Sequence, residues 1–421
     1  MFKKIVFKNG LRVILVPQMS TQAVTALVLV GTGSKYENKE TNGISHFLEH
    51  MFFKGTKKRQ TKMEIAEDLD RVGGIYNAFT SQEYTGYFAK VSYSQAELAI
   101  DWVSDIFLNS ILPRKEVERE RGVVIEEINM HKDDPVSYVQ TLWSKVLYGD
   151  QPAGWDVAGT KESVSNISRD DLLKYMKNQY TASNTVICVA GKINSSRVLK
   201  QIKESFSNID SNAQKSKPKV VERQTDPEAI TEDRKTEQTH LCLGVRGYNL
   251  FDENRFIQDI ISVILGGMMS SRLFMKVREE MGLAYYIKTE SAQDTDTGFL
   301  VTRAGVDNKN VDRAISAILN EYKIISQVAV PERELKKAKE HAKGKLALEL
   351  EPSDAKTSFY GIQELLENKI MSPEEIFTAI NRVSKKDILR AAKNLFKSEK
   401  LNLAAVGPKP DKEKLRELLV L

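Results

Sequence analysis

His46 and His50 stand four residues apart in the run Gly43-Ile44-Ser45-His46-Phe47-Leu48-Glu49-His50-Met51-Phe52-Phe53-Lys54-Gly55, with Glu49 just before the second histidine. On a helix this spacing sets two imidazoles side by side, one turn apart, where both can ligate one metal ion, and Glu49 lies at the edge of the same face. Two histidines leave a cation under-coordinated. The pattern therefore demands a third ligand elsewhere in the chain and an open position for water. The chain has only five histidines in 421 residues, so a chance His-x-x-Glu-His is rare. A metal site outweighs a polar helix face whose histidines merely hydrogen-bond.

The element that must present these groups is one short helix, opened by the polar Thr41-Asn42 turn and closed by Gly55. Ile44, Phe47, Leu48, Met51 and Phe52 recur at the spacing of a core-facing stripe, so the back of the helix is committed to packing. Candidates for the third ligand lie on a second helix predicted over 114–132, started by Pro113. Glu120 and Glu127 are seven apart and share a face, Glu126 points about 100° away, and His131 falls on the face of Glu127. Spacing alone leaves Glu127, Glu126 and His131 as alternatives.

A chain of 421 residues suits two domains of about 200 residues each. Lys and Arg number 62 against 57 Asp and Glu, a net charge of +5 that is too weak and dispersed to argue for nucleic acid. The basic run Lys54, Lys57, Lys58, Arg59, Lys62 reads as a solvated loop after the metal helix. Cys188 and Cys242, both in apolar strand-like runs, imply neither a disulfide framework nor a cysteine metal site. No apolar run reaches membrane-spanning length and no leader pattern opens the chain, so a cytoplasmic protein with no membrane partner is expected.

Along the chain, 3–17 reads as a hairpin around Asn9-Gly10, followed by a strand from Val24 to Val30. After the metal helix comes a second helix from Thr61 to Val72, with Thr61 and Glu64 as a capping box. Strands at 75–81 and 84–92 and helices at 94–110 and 114–132 complete this part. An internal repeat at an offset of 216 residues follows from sliding the chain on itself: Ile167 to Lys174 matches Val383 to Arg390, Lys177 to Tyr180 matches Lys393 to Phe396, and the strand Val186 to Gly191 falls on Asn402 to Gly407. A polar stretch with Pro218 and Pro227 separates the halves. The expected fold is α+β: two homologous α/β domains from an internal duplication, each a mixed, largely antiparallel sheet covered by helices. The expected boundaries are 1–212, a linker at 213–238, and 239–421. The second half holds only His240 and His341, so only the first can bind the metal this way.

His46-Phe47-Leu48-Glu49-His50, followed after 76 residues by Glu127 inside Val117-Glu118-Arg119-Glu120-Arg121-Gly122-Val123-Val124-Ile125-Glu126-Glu127, resembles the inverted zinc motif of the pitrilysin/insulinase family of metallopeptidases. The chain is most similar to the short-chain branch that includes the mitochondrial processing peptidase subunits and their bacterial relatives. The resemblance spans essentially the whole chain. It implies one zinc per chain on His46, His50 and Glu127, with Glu49 as general acid and base and Glu120 orienting a ligand. It leaves His131 as a polar residue near a helix end. Gly73-Gly74-Ile75-Tyr76-Asn77-Ala78-Phe79-Thr80 resembles the strand onto which substrate adds, with Asn77 and Ala78 in contact with it. Arg278 and Tyr285, seven apart, resemble the pair that reaches the cleavage site from a facing domain to anchor substrate and support the oxyanion.

In the family four such domains enclose a chamber, and this chain supplies two. The resemblance therefore implies a homodimer closing as a clamshell, its site completed in trans, that accepts unfolded peptides or flexible protein segments. Met268 stands in Leu265-Gly266-Gly267-Met268-Met269-Ser270-Ser271 where many relatives carry a third glycine, which makes the presequence-binding, non-catalytic subunit type a poor match. The competing expectation is a scaffold of the same fold, like the core subunits of respiratory complexes. Such members can lose the four residues His46, Glu49, His50 and Glu127, and this chain keeps them.

Overall fold

The computed structural model of the protein describes residues 2–211 and 216–421. Its strands form two sheets. The first holds β1 (Lys3–Val6), β2 (Arg12–Pro17), β3 (Ala23–Val30), β4 (Ile75–Thr80), β5 (Thr85–Ser92) and β6 (Thr185–Gly191), in the order β1-β2-β6-β3-β5-β4. Only β2 and β6 run parallel; the other neighbours are antiparallel. The second holds β7 (Glu228–Asp233), β8 (Gln238–Arg246), β9 (Ala284–Gln293), β10 (Gly298–Asp307) and β11 (Leu401–Gly407), in the order β7-β11-β8-β10-β9. Again one pair, β7 with β11, is parallel. The class is α+β. Among the described residues no helix is long and apolar enough to cross a membrane.

The 216-residue repeat reappears bound for bound. Helix Arg169–Gln179 corresponds to Lys385–Leu395, and each is opened by a serine, Ser168 or Ser384, in a reciprocal capping box with Asp171 or Asp387. Strand β6 corresponds to β11 at both ends, and both are buried along their whole length. Each lies inside its sheet with apolar layers on both faces, which is why both read as continuous Val, Ile, Leu and Ala rather than as an alternating pattern.

Packing divides the chain differently from the contiguous boundaries expected above. One compact unit comprises Met1–Ile128, Asp156–Pro218 and Leu348–Ile370; the other comprises Asn129–Trp155, Lys219–Ala347 and Met371–Leu421. The difference is a reciprocal exchange of helices. Pro135–Tyr148, from the first half, lays Val139, Leu142, Trp143 and Leu147 on Cys242, Val301, Ala404 and Val406 of the second sheet. Ser353–Glu367, from the second half, lays Tyr360 and Leu365 on Ile14, Val16, Leu27, Leu29, Val186 and Cys188 of the first. Moved back by the repeat, Ser353–Glu367 overlaps Pro135–Tyr148, so each copy of the duplication gives its partner the same helix. A sheet with two apolar faces needs a layer on each, and nothing in local sequence says which copy supplies it. The expected linker is also partly structured: 213–215 lies outside the described residues, whereas β7 occupies Glu228–Asp233 and extends the second sheet.

One smaller departure concerns local hydrogen bonding. Thr61 caps helix Lys62–Asp70 by accepting from Glu64 N, but the Glu64 carboxylate accepts from Gln60 N rather than from the cap residue. Asp133-Asp134-Pro135 ends one helix and starts the next, because Asp134 caps Val136 and Ser137.

The borrowed helix on the first sheet is held by charge as well as packing. The Glu364 carboxylate, 1% exposed, lies 2.7 Å from Lys4 Nζ, and Arg12 donates to the Glu364 carbonyl and to Asn368 Oδ1. A Cβ at Gly361 would come within 2.7 Å of Leu29 Cδ1. Gly361→Val is therefore expected to cost about 1–3 kcal/mol by overpacking, read as a lower urea midpoint. A midpoint at or above wild type would show that the helix does not pack closely there.

Candidate metal centre

The histidine helix, Ile44–Met51, is entered through Gly43 at φ +94, a left-handed conformation in which a Cβ would lie 2.5 Å from the Ala158 carbonyl oxygen. Only glycine fits that entry. The helix start is secured by Glu37, 5% exposed, whose carboxylate accepts from Gly43 N at 2.7 Å, Ser45 N at 2.9 Å and Asn42 Nδ2 at 2.9 Å. Burial pushes the Glu37 carboxyl above its ordinary pKa, and those donors pull against it. A carboxylate here satisfies orphan N–H groups and faces the positive end of the helix dipole. Ile44, Phe47, Leu48, Met51 and Phe52 are all buried, each worth about 1.5–3 kcal/mol on leaving water. The helix cannot rotate without exposing them.

That rigid back fixes the front. His46 Nε2 and His50 Nε2 are 3.2 Å apart, and Glu127 Oε2 lies 3.6 Å from the first and 3.4 Å from the second. Zinc binds nitrogen or oxygen at about 2.0–2.1 Å, which places tetrahedral donors about 3.3 Å apart. The three separations fit one such ion. Among the described residues this is the one group of three histidine, cysteine or acidic side chains close enough to share a metal. Glu127 comes from helix Arg114–Asp133, anchored on its inner side by buried Val117 and Val124. Glu126 and His131, the other candidates of the sequence reading, are exposed and outside the group.

Glu120, seven residues before Glu127 on the same face, is 5% exposed and lies 3.0 Å from His50 Nδ1. Glu120 and Glu127 thus meet the same imidazole on opposite nitrogens. Burial alone would lower the His50 pKa, but the bonds to Glu120 and Glu127 carry it up to about 9 without a cation present. By sequence Lys54 belongs to a solvated basic loop. Instead its Nζ lies 2.7 Å from Glu120 Oε2. Arg59 of the same run, 4% exposed, pairs with Asp68, Asp101 and Asp105.

Glu49 faces strand β4. Thr80 Oγ1 donates to Glu49 Oε2 at 2.5 Å, and burial raises the Glu49 pKa against the pull of that bond. Strand β4 is the end strand of its sheet, and among the described residues no strand pairs with its outer edge. It carries exposed Asn77 and Ala78, which is 8% exposed. Arg278 and Tyr285 lie in the second unit: Arg278 near the end of a short π-helix with its guanidinium 4.7 Å from the Phe274 ring, and Tyr285 in β9, 62% exposed.

Residues 12–161 match the family described as Insulinase (Peptidase family M16), and residues 166–341 match the Peptidase M16 inactive domain. An uncharacterized zinc protease of Bacillus subtilis is 38% identical over 97% of this chain and 98% of its own. The chain belongs to the M16 peptidase family. A second relative, an uncharacterized zinc protease of Streptomyces coelicolor, is 32% identical over 97% of this chain and 90% of its own. Among solved structures, a protease from Helicobacter pylori superposes with a TM-score of 0.89 at 24% identity, covering 97% of this chain and 99% of that one. A chain of Complex III2 from Candida albicans superposes with a TM-score of 0.84 at 21% identity over the full length of both. These two likenesses speak for the fold alone.

In this M16 chain the contacts the sequence reading missed are Glu37, Lys54 and Thr80. In the sequence nothing marks the Thr80 hydroxyl within its strand, Lys54 is one member of a charge run, and Glu37 carries no signal. A metal that binds only the folded state stabilises it by about 2.7 kcal/mol at a free concentration of 100 Kd. Zinc added back to chelator-treated protein is therefore expected to raise the thermal midpoint, and the rise should vanish in His46→Ala and Glu127→Ala. An equal rise in those variants would place the metal elsewhere.

Proposed function

We propose that the protein is a zinc-dependent endopeptidase, with one zinc per chain on His46, His50 and Glu127, hydrolysing peptide bonds in unfolded peptides and flexible protein segments. The observation that carries this reading is the convergence of three donor atoms, 3.2 to 3.6 Å apart, beside the half-buried carboxylate of Glu49. Bound there, zinc supplies a Lewis acid for the scissile carbonyl and acidifies a water at an open position.

The protein groups do the rest. Glu49 accepts the proton of the attacking water and returns it to the leaving amine. Its upward-shifted pKa moves it toward the range in which a base can take a proton and give it back near neutral pH. Thr80 holds one Glu49 oxygen, so the other is left for the proton. Glu120 accepts from His50 Nδ1, which reserves Nε2 for the metal. The open edge of β4 offers backbone groups to an extended peptide, a mode of binding that tolerates many sequences, with Asn77 and Ala78 in contact. Arg278 and Tyr285 anchor substrate and support the oxyanion, an assignment that rests on the family resemblance. In this reading they act across a homodimer.

A non-catalytic role has one observation in its favour, the likeness in fold to a chain of Complex III2. Fold does not separate the two readings. The complete donor set with an adjacent carboxylate favours the enzyme.

Wild type is expected to bind about one zinc per chain and to cleave an unfolded peptide library, while Glu49→Gln keeps the metal and loses at least about 1,000-fold in kcat/KM. Wild type that binds zinc and cleaves nothing would turn the reading toward the scaffold. Completion in trans is tested by mixing Glu49→Gln with Arg278→Ala, each inactive alone. Subunit exchange should restore about one quarter of the wild-type rate, because half the dimers then carry one intact site. No recovery on exchange would place Arg278 in cis.

A further inference from the structure

We propose that Lys54 is a positioning residue of the metal centre, an inference that rests on the zinc reading above. It holds Glu120, and through Glu120 the imidazole of His50, in the ligating orientation. The two oxygens of the Glu120 carboxylate are divided between two partners. Oε1 lies 3.0 Å from His50 Nδ1 and Oε2 lies 2.7 Å from Lys54 Nζ. A carboxylate bonded on one side only can turn about its Cγ–Cδ bond and tip the imidazole with it. Bonded on both sides, it has one orientation.

The lysine is built in. Its side chain is 17% exposed, against 57% for Lys58 in the same basic run. Its backbone leaves the histidine helix through a turn in which Lys54 N donates to the Met51 carbonyl. The next residue, Gly55, has φ +136, and a Cβ there would lie 2.6 Å from the Gln60 carbonyl oxygen. Beyond it the loop is fastened to the end of helix Ala96–Asn109: Ile111 N donates to Gly55 O, Lys57 N to Asn109 O, and Thr56 Oγ1 to Asp105 Oδ2. Arg59 closes the loop with three carboxylate partners. A long flexible side chain is thus delivered from a rigid base to one carboxylate on the opposite helix, which reduces the entropy lost in making the pair.

Charge gives the second reason. Glu49, Glu120 and Glu127 bring three carboxylates to a site that a divalent cation neutralises only in part. Lys54 supplies the remaining positive charge without taking a ligand position, since its ammonium faces the carboxylate oxygen turned away from His50.

The test is zinc affinity, measured by competition with a chromophoric chelator, alongside kcat/KM on the peptide library. Lys54→Met is expected to raise the zinc Kd about 10- to 100-fold, the range seen when a ligand's hydrogen-bonded support is removed, with an unchanged circular-dichroism spectrum. Lys54→Arg should recover most of the loss, which a merely space-filling role would not allow. Lys54→Gln serves as the neutral variant should Lys54→Met fail to fold. Because Lys54 acts through Glu120, adding Lys54→Met to Glu120→Gln should weaken zinc no further than Glu120→Gln alone. A folded neutral variant with the wild-type zinc Kd, or penalties that multiply in the double variant, would overturn the proposal. Wild type that binds no zinc would instead overturn the reading beneath it, so the two failures are distinct.

Discussion

Everything at this centre depends on bringing two imidazole nitrogens and a carboxylate oxygen within 3.6 Å of one another. Such crowding of lone pairs is not favourable by itself; it is held by packing elsewhere and becomes an asset only around a cation. Two helices meet the requirement. The histidine helix is fixed in rotation by its buried stripe and in position by Gly43 and Glu37 at its entry. The long helix contributes Glu127 and Glu120 one turn-pair apart on one face, so the same element brings a carboxylate to each ring nitrogen of His50.

Around this pair the supporting contacts come from short segments with little freedom. Thr80 arrives at the end of β4 and ties Glu49 to the strand whose outer edge is open. Lys54 arrives from a loop pinned to its neighbours by Gly55, Thr56 and Arg59. Both contacts place a charge-bearing group with a side chain whose own backbone is fixed, the usual route to a preorganised site.

The duplicated architecture shows how little of this chemistry is a property of the fold. Helix Arg169–Gln179 and helix Lys385–Leu395 share their caps, and β6 and β11 share their ends. Yet only one copy has the histidine pair, and the second sheet is otherwise built on the same plan. Each copy also depends on the other for the helix that covers one sheet face, so neither half of the sequence is by itself a complete packing unit.

Local periodicity was enough to read the histidine helix, its buried face, the candidates on 114–132, most strands, and the repeat. Those features are set by 3.6-residue and 2-residue spacings within one element, which the residues reveal without knowledge of their neighbours. The choice of Glu127 over Glu126 and His131 needed more than spacing, since all three lie within one turn or so of the right place. Lys54 to Glu120, Thr80 to Glu49, Glu37 at the helix entry, and the exchanged helices were decided by the tertiary structure alone. Each joins residues brought together by the path of the chain, and a lysine in a charge run or a threonine in a strand carries no mark of its partner until that path is known. Residue types and their spacing mark which groups could do chemistry and on what elements they lie. The fold decided which of them meet, because contact between elements depends on packing that no single segment encodes.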